Sequence, residues 1–267
     1  MASAQYYYVE AGARQAAMGG AGLVLPDAWA SAHNQAALAK VSGLGVGTYY
    51  ANIFNESELK ELGFSAAYQV EKYGTAGLDF TYSGNPFSNF MSFGFSYAKQ
   101  LGKRISGGIK IDYFRHSQMN YGNISAFTGE LGLLAEPVDH FFIGAHAFNP
   151  WRAKFNATNE PMISTFRLGA GYFFSSRVLL TLEGEKSLEK KTILRAGTEY
   201  NVIAGLFLRA GICTQPVKYS FGLGYNYKGV SIDVTYISHQ VIGYYMKFGL
   251  MWHFNPASDK KSSDALQ

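Results

Sequence analysis

The side chains able to do chemistry are few and scattered. Six histidines stand at 33, 116, 140, 146, 239 and 253, and none of their spacings suits a metal-ligand set. Cys213 is the single cysteine, so no internal disulfide forms, and no histidine is placed to activate it. No G-x-S-x-G elbow occurs. Gly43-Leu44-Gly45-Val46-Gly47 has the look of a nucleotide loop, but it lies on an alternating strand pattern with no helix after it, so it reads as wall. Glu183 and Glu185 share one strand face. They could form a carboxylate pair, but ion pairing with Arg195 is the plainer reading. This inventory points to a non-enzyme with no cofactor and no metal.

The elements that must carry these residues are strands. Charged residues make up 16 % of the 267 and aromatics another 16 %, with 30 glycines and a mean hydropathy of −0.06. Few charges, many aromatics and neutral hydropathy suit strands with one apolar and one polar face. No apolar run reaches the roughly 18–20 residues of a helical membrane span. The basic residues, net charge +4, are dispersed along the strands, so no nucleic-acid footprint is present. From Leu44 to Phe254 the chain alternates with period two, broken by turn residues every ten to fifteen positions. The strands read as roughly 43–51, 62–71, 74–83, 90–100, 104–115, 123–134, 140–148, 162–174, 177–186, 191–201, 205–213, 217–227, 230–238 and 242–254. This predicts an all-β chain: a transmembrane antiparallel barrel of about fourteen strands. Gly84-Asn85-Pro86 is read as a plain turn, with a wall kink as the alternative.

Alternation also assigns faces. Phe93, Phe95, Tyr97, Tyr219, Phe221, Tyr225, Phe248 and Trp252 fall on the side predicted to meet lipid. The opposite face is rich in Gly, Ser and Ala and carries most of the charge. Its bases are Lys110, Arg167, Arg195, Arg209, Lys218 and Lys247, and its acids Asp79, Asp112, Glu130, Glu183, Glu185, Glu199 and Asp233. Buried charges persist when paired, so a cross-lumen ion-pair network is expected, with Arg14 a candidate member.

Residues 5–42 do not read as strand and are expected to form an N-terminal hatch, with the barrel at 43–254. Ala2-Ser3-Ala4 has the small-x-small form of an export cleavage site, so 1–4 reads as a signal remnant. The polar stretch 255–267 reads as a disordered periplasmic tail. The run GARQAAMGGAGLVLPDAWASAHNQAALA resembles the N-terminal signature of the FadL-like outer-membrane superfamily, especially its PorV/PorQ branch in Bacteroidota. The matching residues are Gly12, Ala13, Arg14, Met18, Gly19, Gly20, Ala21, Asp27, Ala28, Asn34, Ala36 and Ala39. The chain departs at Gln35, where the family usually has proline.

That resemblance implies a fourteen-stranded barrel with a lumenal hatch in the outer membrane of a Gram-negative bacterium, in contact with lipid and lipopolysaccharide. It covers two roles. One is uptake of hydrophobic or small solutes. The other is service in an outer-membrane protein export or assembly complex such as the type 9 secretion system. Inward Phe142, Phe148, Phe173 and Phe207 could line a slot for a hydrophobic ligand. A lumen dominated by charge and glycine, under short loops, tilts the expectation toward an accessory subunit docked to a larger complex.

Overall fold

The computed structural model describes residues 10–53, 59–157, 159–187, 190–241 and 243–254. The signal remnant expected at 1–4 and the tail expected at 255–267 lie outside the described residues.

Fourteen strands follow one another: β1 Leu44–Asn52, β2 Lys60–Val70, β3 Gly74–Gly84, β4 Ser88–Gln100, β5 Ile105–Gln118, β6 Gly122–Val138, β7 Phe141–Phe148, β8 Thr165–Ser175, β9 Val178–Ser187, β10 Ile193–Ile203, β11 Leu206–Thr214, β12 Val217–Tyr227, β13 Val230–His239 and β14 Gly243–Phe254. Each pairs antiparallel with its sequence neighbours, and β1 closes on β14 from Leu44↔Phe254 to Asn52↔Met246. Closure satisfies every edge, which lipid demands of a spanning sheet. Turns follow local chemistry. Lys228 and Gly229, at φ 48° and 82°, make a two-residue hairpin that needs two left-handed residues in a row. Gly84-Asn85-Pro86 is a plain turn: Asn85 Oδ1 accepts from the N–H groups of Phe87 and Ser88, and the β3–β4 ladder runs unbroken to Gly84↔Asn89. Strand β6 outruns its expected end at 134, continuing through Glu136 and Pro137 past a bulge beside Ala135.

The outer face is an apolar belt. Phe93, Phe95, Tyr97, Tyr219, Phe221, Tyr225, Phe248 and Trp252 are all exposed on it. In water, so much exposed aromatic and aliphatic surface would drive aggregation; in a bilayer it is the required exterior. With Leu44 and Phe254 paired at the same end, that end is periplasmic and the opposite rim faces outward.

Residues 10–42 lie inside the barrel. Helix α1 Ala13–Ala17 packs against β11–β14; helix α2 Ala30–His33 and a 3-10 helix, Gln35–Lys40, sit against β3–β6. Met18, Leu23, Leu25 and Leu38 are buried here, each contributing roughly 1.5–3 kcal/mol. The inward glycines of the wall are where this segment docks. A Cβ at Gly197 would stand 2.5 Å from the Met18 carbonyl oxygen, at Gly211 2.1 Å from Gly19 N, and at Gly108 2.5 Å from Ala36 N.

Candidate functional site

The inward charges form three buried clusters, the first two joined through Arg167, and two separate pairs. In the first cluster, Lys110 Nζ lies 2.9 Å from Asp112, 3.1 Å from Asp79 and 3.5 Å from Glu130. His146 shares Glu130 through Nε2 at 2.8 Å and accepts from Arg167 Nη2 at Nδ1, 3.0 Å away. Gln35 of the hatch also donates to Glu130. In the second cluster, Arg195 reaches Glu183 at 3.2 Å and Glu185 at 2.9 Å, and Arg167 reaches Glu183 at 3.5 Å. Register explains this: Arg195 stands directly opposite Glu183, and Arg167 opposite Glu185. Arg167 also donates to the His33 carbonyl, tying this wall to the hatch.

The third cluster clamps the hatch from the periplasmic half. Arg14 donates from Nη2 and Nε to the two oxygens of Glu199, at 2.7 and 2.8 Å, and from Nη1 to Asp27 at 3.2 Å. Arg209 bonds the same Glu199 at 2.6 Å and Asp233 at 2.5 Å. Asp27 further accepts from the Gln15 amide and Trp29 N–H. Burial pushes the Asp27 carboxyl above its ordinary pKa against the pull of Arg14. Burial alone would lower Arg14, but Glu199 outweighs it and holds the guanidinium above its usual range. The two pairs are Lys218 with Glu10 and Lys247 with Glu61, the latter at 3.0 Å. Burial pushes Glu10 up, and the neighbouring Lys218 ammonium more than offsets it, leaving the group below its ordinary value.

The remaining hatch-motif residues are structural. Gly12, Gly19 and Gly20 all have positive φ, and Gly19 also lies against the Ile212 backbone, where a Cβ would come within 2.6 Å. Met18 is buried on Gly197. Asn34 donates to the Leu23 carbonyl at 2.9 Å and the Leu133 carbonyl at 3.1 Å.

Above the hatch, on the outward side, is a cavity of 580 Å³. Its floor carries Glu10, Glu130, Arg167 and Arg195, while Ile53, Phe148, Ile163, Ile193, Pro216 and Tyr245 supply apolar wall and Lys190 and Lys191 stand at its mouth. An apolar cluster of Phe114, Ala126, Phe148, Phe155 and Met162, with Phe90, Ile124 and Ile163 against it, borders one side. Charge reaches the outward end as well, where Glu61, Glu185 and Lys218 line the cavity beside the apolar side chains. Of the four phenylalanines expected to line a slot, only Phe148 does. Phe142 packs on the hatch, Phe173 on Met18, Leu25 and Leu179, and Phe207 under the Arg209 guanidinium, 5.3 Å away.

Two features of this end escaped sequence reasoning. Strand β6 has 17 residues and β7 only 8, so β6 outlasts its partner. Residues 149–157 and 159–164 form a strap along the freed flank, with Asn149 N–H on the Gly129 carbonyl and Asn156 N–H on the Ser125 carbonyl. Asn149, fully buried at φ 50°, organises the strap. Its Oδ1 accepts from Thr128 and Ala153 N–H, both 2.7 Å, its Nδ2 donates to Met162 O at 3.0 Å, and its own carbonyl accepts from Ser164 at 2.6 Å. Short-range alternation leaves 149–161 as a long gap between the expected strands and carries no signal for how that segment packs.

No family model and no curated protein matches the chain. Solved structures do. The toluene transporter TodX of Pseudomonas putida superposes with a TM-score of 0.64 at 13 % identity, covering 90 % of this chain and 96 % of that one. A FadL homologue of Pseudomonas aeruginosa gives 0.63 at 12 %, covering 91 % and 98 %. The Acinetobacter baumannii outer-membrane protein Omp33 gives 0.52 at 8 %, covering 80 % and 98 %. At such identities the likeness concerns the fold. The chain has the fold of FadL-type outer-membrane barrels, and with its apolar belt it is a protein of the Gram-negative outer membrane. Nothing in these comparisons supports the narrower PorV/PorQ branch or a Bacteroidota origin.

Proposed function

We propose that this barrel is an uptake channel that receives small, largely apolar solutes in the cavity above the hatch. The observation that carries this reading is the 580 Å³ space on the outward side, with Phe148, Ile163, Ile193 and Tyr245 as apolar wall and the hatch as floor. Small-molecule sites are concave, mostly apolar and fitted with a few polar groups. The barrels of similar fold include TodX, described both as a toluene transporter and as a monoaromatic hydrocarbon channel, which favours solutes of that size. Neither TodX nor the FadL homologue supports an accessory role in an export or assembly complex, including type 9 secretion, so uptake takes precedence over the docking role that the residue pattern suggested.

The test is equilibrium dialysis of radiolabelled toluene and naphthalene against the whole barrel held in amphipol. Saturable binding is expected. Ile163→Trp and Thr165→Trp, which fill the cavity, should weaken it at least about tenfold while the folded, heat-modifiable band on gels is unchanged. Absence of saturable binding, or equal binding by the filled variants, would overturn the reading.

A further inference from the structure

The outward rim is unevenly charged, and its basic sector lies directly above the apolar belt. Five bases, Arg152 and Lys154 on the strap, Lys186 at the end of β9, and Lys190 and Lys191 in the β9–β10 connection, are all exposed. Among the described residues of these two segments, Glu160 is the sole exposed acid. The facing sector, β11–β14 and β1–β3, differs. Its outward rim carries Tyr50, Tyr82, Tyr236 and Tyr244, with Lys60 the one exposed base among the described residues there.

The height of the basic sector is set by register. Phe166, exposed on the belt, pairs with Ala147 of β7 on one side and Lys186 of β9 on the other. Lys186 points outward, because Glu185 and Ser187 on either side of it are buried in the lumen. Trp151 lies over the outward face of Gly129, where a Cβ would come within 2.7 Å of its ring. Arg152 follows it, and the exposed Lys154 precedes the buried Phe155 and pairs with Pro161. Lys186 therefore stands level with Phe166 near the outward end of β9, and the exposed Arg152 and Lys154 follow Trp151 on the outward strap. That is the depth at which headgroups meet a barrel.

We infer that this sector is a binding site for the phosphorylated glycolipid of the outer leaflet, lipopolysaccharide. Arg152, Lys154 and Lys186 hold its lipid A phosphates, and Trp151 and Phe166 contact the adjoining acyl chains. Arginine matches phosphate with a bidentate fork and lysine adds point charge. Clusters of bases beside a membrane surface add up in their attraction to anionic lipid. The inference is independent of whether the cavity takes up solutes.

The experiment is native mass spectrometry of the full barrel released from micelles containing either bisphosphorylated lipid A or its dephosphorylated form. Retention of the bisphosphorylated form is expected, with at least about tenfold weaker retention of the dephosphorylated lipid. The triple variant Arg152→Gln, Lys154→Gln, Lys186→Gln should lose the preference, and Arg152→Lys, Lys154→Arg, Lys186→Arg should keep it. Lys60→Gln, on the facing sector, should match the unaltered protein. Because the altered side chains are exposed, all variants should keep the heat-modifiable folded band. Four results would each overturn the site: equal retention of both lipids, an unaffected triple glutamine variant, an equal loss with Lys60→Gln, or displacement of the lipid by excess inorganic phosphate.

Discussion

Gln35 shows how one residue adapts a motif. It occupies the position where the resembled signature has proline, and its amide donates to Ser31 O and to the buried Glu130. Proline offers no such donor, so here the hatch is bonded to the Lys110 cluster through a side chain. Arg14 works with full charge. Removing it in Arg14→Met leaves Glu199 and Asp27 as buried carboxylates short of a partner, which should cost about 3–5 kcal/mol, read as a lowered midpoint of heat modification in gels. Asn149→Ala removes the strap's anchor and should cost about 2–4 kcal/mol, with new protease cleavage inside 149–164. His33 predicts a pH effect. Its ring is buried, donates from Nε2 to the Ala11 carbonyl at 2.8 Å, and has a pKa lowered to about 3, by burial first and then by the nearby Arg167 charge. The unfolded chain takes up this proton near pH 6.5, and the folded barrel resists it. Stability from the neutral ring is thus complete above about pH 6.5 and lost as the pH falls from there toward 3, by up to about 1.4 kcal/mol per pH unit. His33→Gln, which keeps a donor, should flatten the profile of folded fraction against pH in that window.

At the scale of elements, hatch and wall are cut to fit each other. The glycines of β10 and β11 are contact surface for Met18 and Gly19, and those of β5 and β6 serve the 3-10 helix in the same way. Gly197→Val should therefore expel the α1 end of the hatch, seen as protease sensitivity near Met18 and as stepwise ion conductance in planar bilayers. Gly102→Ala, in a periplasmic turn with nothing within 4 Å of the new Cβ, should leave both unchanged. The mismatch of β6 and β7 has a parallel consequence. Where two strands differ in length, irregular chain must complete the wall, and the side chains of that chain, Phe155 and Met162, become lumen lining that no strand pattern announces.

For the whole molecule, the apolar exterior is the condition of its existence. Phe248 lies near the middle of β14, exposed on the belt. Phe248→Arg should lower stability in vesicles by about 2–4 kcal/mol, measured by urea titration of the folded barrel. The interior divides by height: a glycine-lined middle filled by the hatch, and above it a space open to the outside whose wall carries both charged and apolar side chains.

The barrel itself was legible because its cause is local. A period of two, turn residues at regular spacing and the aromatic-versus-small contrast of the two faces are properties of neighbours in the chain, and lipid enforces them on every strand alike. Most inward charges were legible for the same reason, by parity on a strand, with Glu61, just ahead of the strand expected at 62–71, an exception. Which charge meets which was not. Partners such as Arg14 and Glu199, 185 positions apart, are joined by hatch docking, and that depends on the shape of the closed lumen. The cavity, the Asn149 strap and the role of Gln35 likewise belong to the tertiary structure, since each arises where irregular segments meet a finished wall and no repeating pattern governs the chain.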